Sequence, residues 1–217
     1  RSASAGDLVR NAVGGGLGYL FATAIHSVWP SVLRFGVAGL AVAVLVAFTL
    51  WQPWQQYQLR LYRASLLPLV VDTNDERLSS YASVNEGGLV RFEPVGSRWP
   101  DYDGRSALRL TFGVSEYPTL YFSEVMQRWA PFTELVVDVF VLGDEPLPLT
   151  VAVQYEGSDG TSAYTERTLA PGATRWVIPR NQFVPDEATA LRVRDVLIYT
   201  SSDYAGRAVL VGGLYLR

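Results

Sequence analysis

The chain has no cysteine and no lysine, one histidine and one methionine in 217 residues. Without cysteine there are no disulfides, no thiolate nucleophile and no cysteine-based metal site, and the redox compartment stays open. The only histidine, His26, lies in an apolar N-terminal stretch. Neither a Ser-His-Asp triad nor a multi-histidine metal centre can therefore be assembled in the remainder of the chain. All 18 basic residues are arginine, against 21 acidic residues, for a net charge of −3. There is no positive surplus for a polyanion, which argues against nucleic acid as a partner.

What the chain has is a hydrophobic fraction of 49%, weighted toward its beginning. It starts at Arg1 rather than Met and is expected to be the C-terminal part of a larger protein with two unlike halves. From Phe35 to Trp51 there is no charge. With Val32 and Leu33 added, the run matches a bilayer crossing at ~1.5 Å per residue, so a transmembrane helix is expected at 32–51. Trp51, Trp54 and Tyr57 follow in headgroup-seeking order, and Arg34 is placed to snorkel at the other end. A second apolar stretch, Asn11 to Trp29, ends at the turn Trp29-Pro30-Ser31. Its Gly14, Gly15, Gly16 and Gly18 suit close packing against another membrane helix. Residues 52–68, rich in Gln and Arg and closed by Pro68, read as a juxtamembrane connector.

Ala5-Gly6-Asp7-Leu8-Val9-Arg10-Asn11-Ala12-Val13-Gly14 resembles the last helix of VanZ-like membrane proteins, in which an Asp and an Asn four residues apart precede a small-residue run. The resemblance covers about the first 30 residues and makes 1–31 the end of a helical membrane domain. Asp7 and Asn11 share a helical face. They suit either a polar site within a bundle or a helix N-terminus with Asp near the positive dipole end.

Beyond Leu69 apolar residues recur with period two: Leu108, Leu110 and Phe112; Leu135, Val137, Val139 and Val141; Leu149, Val151, Val153 and Tyr155. This is the pattern of half-buried strands. Turn signals at Asp103-Gly104, Gly143-Asp144-Glu145-Pro146, Gly157-Ser158-Asp159-Gly160 and Pro171-Gly172 separate them. Further strands are expected at about 88–95, 161–169, 173–179, 191–200 and 208–216, with a bulge at Asp195 where the alternation changes. The expected fold class is mainly β, a sandwich or barrel over 69–217, preceded by one or two transmembrane helices. That domain is expected to fold without the helices.

The order of features resembles jelly-roll domains of the galactose-binding-like, carbohydrate-binding-module type. The landmarks are Gly104 to Leu110, Trp129 to Val139, Tyr164-Thr165-Glu166-Arg167, Leu169-Ala170-Pro171-Gly172 and Ile178-Pro179. The resemblance implies a jelly-roll sandwich that binds carbohydrate outside the cytoplasm. The flanking arginines alone lean the other way, with Arg1, Arg10, Arg60 and Arg63 on the domain side against Arg34. The expected location is nevertheless a membrane protein with an extracytoplasmic C-terminal domain. Relatives often carry acidic residues and calcium at the last strand, where this chain has Gly212-Gly213-Leu214-Tyr215-Leu216. No metal or cofactor is therefore expected.

Three carboxylate pairs, Asp101 with Asp103, Asp144 with Glu145 and Asp186 with Glu187, lie in turn-like stretches where acidic residues are ordinarily solvated, so no catalytic residue is assigned. Trp129 and Trp176 are expected in or under the sandwich. Tyr102, between Asp101 and Asp103, is expected to be exposed. Tyr155, Tyr164 and Arg167 fall on two runs joined by the Gly157–Gly160 turn. As a hairpin they would share one face, either as a binding face for hydroxyls or carboxylates or as a cross-strand Tyr–Tyr pair with a stacked Arg. The ligand-binding candidates are thus Tyr102, Tyr155, Tyr164 and Arg167. The function expected is a membrane-anchored, non-catalytic module for cell-envelope or extracellular carbohydrate. The alternative is an assembly domain docking a protein partner, with any enzymatic activity in the upstream membrane part.

Overall fold

The computed structural model describes residues 14–19, 22–23, 31–75, 77–78, 81–102, 106–125, 127–156, 162–183 and 192–217. Two compact units are present, Arg1–Leu59 and Arg60–Arg217. Asp7, Asn11, His26, Asp103, Arg105, Asp186, Glu187 and the Gly157–Gly160 turn lie outside the described residues.

In the first unit residues 14–19 are helical, as is most of α1, Ser31–Ser65. Gly14, Leu17 and Gly18 face Ala41, Val42 and Leu45 around a space of about 210 Å³, an approach that small residues permit. Leu40, Val42, Leu45, Phe48, Leu50, Trp51 and Trp54 of α1 are all exposed. Among the described residues, no helix is long and apolar enough to cross a membrane, so the transmembrane helix expected at 32–51 is not supported by them. Gln52, Gln55 and Gln56 follow Trp51 in the same helix, so its polar part begins there.

The second unit begins at Arg60, before the boundary expected at 69. Arg63, near the end of α1, is 2% exposed. Its guanidinium donates hydrogen bonds to the carbonyls of Ser123 and Glu124 and lies 3.6 Å over the Tyr81 ring. Gln127 Nε2 donates to the Arg63 carbonyl at 2.7 Å and to that of Leu69 at 3.3 Å. Arg60 pairs with Glu124 at 3.2 Å. The polar stretch read as a connector therefore ends inside the domain.

Eleven strands follow, ordered by the alternation seen in the sequence: β1 Leu69–Asp72, β2 Ala82–Val84, β3 Leu89–Pro94, β4 Ser106–Thr111, β5 Thr119–Phe122, β6 Glu134–Val141, β7 Leu147–Tyr155, β8 Ser162–Leu169, β9 Gly172–Pro179, β10 Val193–Tyr199 and β11 Ala208–Leu216. A four-residue helix, α2 (Arg180–Phe183), follows β9. They form two antiparallel sheets. One runs β3-β4-β11-β6-β9, with β1 also paired to β11, and the other runs β2-β5-β10-β7-β8. The edges are thus β3 and β9 in one sheet, with β1 also paired on one side only, and β2 and β8 in the other. Leu108, Leu110, Val139, Val209 and Val211 from the first sheet, and Leu120, Leu149, Val151, Val196 and Ile198 from the second, are at most 2% exposed and form the core. Trp129 and Trp176 are buried as expected, at 0% and 3% exposure. Trp129 stands edge-on to Phe183 and donates its indole N–H to Gln127 Oε1.

Two irregularities shape the faces. The β10–β7 register shifts between Val193 and Asp195, where a bulge was expected. The Asp195 carboxylate accepts the N–H of Glu124, which sits at φ 54°. A second shift, between Val211 and Gly213 of β11, lies where β1 ends and β4 begins along that strand. There the hydroxyls of Thr73 and Tyr102 both reach the Gly212 carbonyl, and Trp99 stacks on Tyr102 with ring centroids 4.5 Å apart. Trp99, Val95, Ala107 and Leu210 make a small second core on the outer face of this sheet.

Candidate functional site

The outer face of the five-stranded sheet carries a groove of about 530 Å³. Its floor is two rows of residues in register across four strands. One row runs Glu166, Thr150, Tyr199, Thr119 through β8, β7, β10 and β5. The next runs Tyr164, Ala152, Leu197, Tyr121 through the same strands. Side chains two apart on a strand share a face, so both rows point away from the core. One row ends each side chain in a hydroxyl or carboxylate, and the other offers apolar and aromatic surface. Tyr117 closes one side, its ring edge-on to Tyr199 with centroids 6.1 Å apart. At ~4.8 Å per strand, four strands give a floor about 14 Å long.

Exposure separates walls from floor. Tyr164 is 67% exposed and Tyr117 56%, whereas Thr119, Thr150 and Leu197 lie below 9%. Burial raises the Tyr199 phenol above its ordinary range, and a hydrogen bond with Thr150 pulls it the other way. The hydroxyl is therefore protonated at neutral pH. Thr119 and Thr200 donate to the carbonyls of Tyr117 and Pro148, at 2.7 Å in both cases, which fixes their rotamers and turns acceptor lone pairs toward the groove. Among the described residues, Glu166 is the only charged one lining the groove.

The four residues expected at a site are not brought together. Tyr164 lines the groove. Tyr155 is 3% exposed and, with Arg167, falls in the alternation of Leu149, Val151 and Val153, on the opposite side of the hairpin from Tyr164. The shared face expected of Tyr155, Tyr164 and Arg167 is thus not formed, because residues 155 and 167 pair in the core-facing phase and 164 in the other. Tyr102, expected to be exposed, lies on the other sheet. It is half-buried under Trp99, its hydroxyl engaged by Thr73 Oγ1 at 2.8 Å and by the carbonyls of Ser106 and Gly212. It borders a second depression of about 380 Å³ with Asp72, Asp138 and Arg175. Asp138 and Arg175 form an ion pair at 2.8 Å. Among the described residues no group of three or more His, Asp or Glu is placed to hold a metal ion.

The sequence reading missed Tyr117, Tyr121, Tyr199 and Glu166. Tyr121 and Tyr199 were legible in principle. In Thr119-Leu120-Tyr121-Phe122, Leu120 and Phe122 are fully buried and alternate with groove residues, but four residues are too few to stand out as a strand. Tyr199 follows the bulge, which inverts the phase of β10.

No protein-family model matches the chain, and no curated protein does. Solved structures do. The chain is similar to an exo-β-agarase, with TM-score 0.55 and 11% identity, over 69% of this chain and 24% of that one. It is also similar to a family 11 carbohydrate-binding module from Clostridium thermocellum in complex with a β-1,3-1,4-mixed-linked tetrasaccharide, with TM-score 0.47 and 12% identity, over 62% of this chain and 86% of that one. A carbohydrate-binding module specific for non-crystalline cellulose matches with TM-score 0.47 and 13% identity, over 70% of this chain and 93% of that one. The chain spans about a quarter of the agarase, and that likeness shows the fold alone, a sandwich of two antiparallel sheets.

Proposed function

We propose that the sandwich is a carbohydrate-binding module whose ligand lies in the groove on the five-stranded sheet. The observation that carries this reading is the pair of in-register rows, one of hydroxyls and a carboxylate, the other of aromatic and apolar surface. A sugar ring has an apolar face and a hydroxyl-bearing edge, and the two rows offer one surface to each. Glycoside hydrolysis requires two carboxyl groups flanking the bond, and among the described residues the groove lining has Glu166 alone. Binding without cleavage is the reading that follows. Replacing Tyr164 or Tyr117 with Ala should weaken binding on a glycan array and by affinity electrophoresis about tenfold, as for a truncated aromatic anchor. A chain that binds no glycan, or binds equally well without these rings, refutes the proposal.

We further propose that α1 holds the module at a membrane and that the module faces the cell envelope from outside the cytoplasm. Support for anchoring comes from the exposed Leu40, Leu45, Leu50 and Trp51, together with the uncharged run Phe35–Trp51. Alkaline extraction of membranes should leave the protein in the pellet, and protease added to intact cells stripped of their wall should cut the module. Release into the supernatant counts against anchoring, and protection from protease against the orientation.

A further inference from the structure

Resting on the groove reading above, we infer that the ligand is a neutral oligosaccharide lying across the strands, and that Glu166 is the residue that excludes acidic sugars. The in-register rows run perpendicular to the strands, so a chain placed along them meets β8, β7, β10 and β5 in turn. A floor about 14 Å long accommodates several rings rather than one. The charge inventory then sets the class. Every polar group of the row other than Glu166 is a neutral hydroxyl, from Thr150, Tyr199 and Thr119. A hydroxyl serves a neutral sugar as donor or acceptor, whereas an ionised carboxylate only accepts. Glu166 thus rewards a sugar hydroxyl that donates to it. It repels a uronate, sulfate or phosphate seated beside it, and among the described residues no arginine or histidine lines the groove to offset that repulsion. Glu166 is itself exposed, on the edge strand β8 and directly opposite the buried Thr150, so its repulsion of an anion is screened by salt and is largest at low ionic strength. Glu166 is a specificity-determining residue in this account.

The test uses the whole chain in detergent and matched hexasaccharides of β-1,4-glucan, β-1,4-mannan and β-1,4-galactan, each beside its form oxidised to the carboxylate at C6. Calorimetry on wild type should show at least one neutral hexasaccharide bound about tenfold or more tightly than its oxidised partner, with the gap narrowing as salt is raised. Glu166→Gln should keep neutral binding within a few-fold and bring the oxidised form close to it. Equal binding of the two forms by wild type, or a ratio unchanged in Glu166→Gln and insensitive to salt, overturns the inference. If Tyr164→Ala still abolishes binding in that case, the groove reading stands by itself. If no hexasaccharide binds, or Tyr164→Ala binds as wild type does, the groove reading fails and takes this inference with it.

Discussion

A Cβ placed on Gly212 would lie 2.6 Å from Cε2 of Tyr102 and 2.9 Å from Cη2 of Trp99, the ring stacked on it. The gap left by the missing side chain is what the aromatic stack occupies, and the Tyr102 hydroxyl reaches through it to the Gly212 carbonyl. Gly212→Ala should therefore destabilise the domain by about 1–3 kcal/mol through overpacking. Tyr102→Phe should cost about 1 kcal/mol for the lost hydrogen bonds. Both should lower the midpoint of urea unfolding and leave glycan affinity unchanged. A loss of affinity without a loss of stability would return Tyr102 to the binding site.

Arg63 is a core residue of the sandwich supplied by the helix. Arg63→Ala would leave the carbonyls of Ser123 and Glu124 buried without their donor, at a cost of about 1–3 kcal/mol. A fragment of residues 60–217 should accordingly unfold at higher urea concentration than one of residues 69–217. Equal midpoints would show that the folded domain begins at Leu69.

Stability should fall in acid, in part through Glu93. Hydrogen bonds from Arg109 first, and from Arg98, hold its carboxyl below the ordinary glutamate range, with contacts of 3.1 and 2.7 Å. Because the folded value is the lower one, this stabilisation is present above the unfolded glutamate pKa and disappears as pH falls through the folded value. Glu93→Gln should lower stability at neutral pH and make the acid limb of the stability–pH curve shallower in thermal melts. An unchanged limb would remove Glu93 from that account.

Burial lifts the Tyr81 phenol to about 12, and the Arg63 guanidinium 3.6 Å from its ring partly opposes that rise. The raised folded value means that the neutral form is favoured by folding, so this contribution is intact below pH 10 and is lost between about 10 and 12. Tyr81→Phe should flatten the alkaline limb of the melting curve, which phenolate absorbance can follow in parallel.

Arg167→Ala and Tyr155→Phe should leave glycan affinity where it is, since both residues point away from the groove, whereas Tyr199→Phe should reduce it. Titration calorimetry separates the three. A strong effect of Arg167→Ala would mean that ligand wraps around the β8 edge.

The long alternating strands β6, β7 and β11 were plain in the sequence because a buried face repeats every second residue over eight or nine positions. The groove was less legible for a related reason. Its floor is drawn from β5, with four residues, and from β10 after the bulge, and in both the alternation is too short or too interrupted to fix a phase. At Asp195 the change of pattern was visible. Its consequence, that Val196 and Ile198 turn inward and Leu197 and Tyr199 outward, depends on the partner strand. Tyr155 and Tyr164 illustrate the same limit, since their relative facing is set by the register Ala152 with Tyr164 rather than by their spacing. Arg63 was hidden differently, for nothing local marks a helical arginine as the one that will be buried.

Four of the strands at the sheet margins, β8, β9, β3 and β2, share a property that bears on contacts between copies of the domain. β8 carries Glu166 and Arg167, β9 carries Arg175 and ends at Pro179, β3 carries Arg91, Glu93 and Pro94, and β2 is three residues long. An incoming strand from a neighbour would meet a charge, a missing N–H or too short a template at each margin. Edge-to-edge pairing of two copies into one continuous sheet is therefore disfavoured at these four margins, although both sheets are open rather than closed into a barrel.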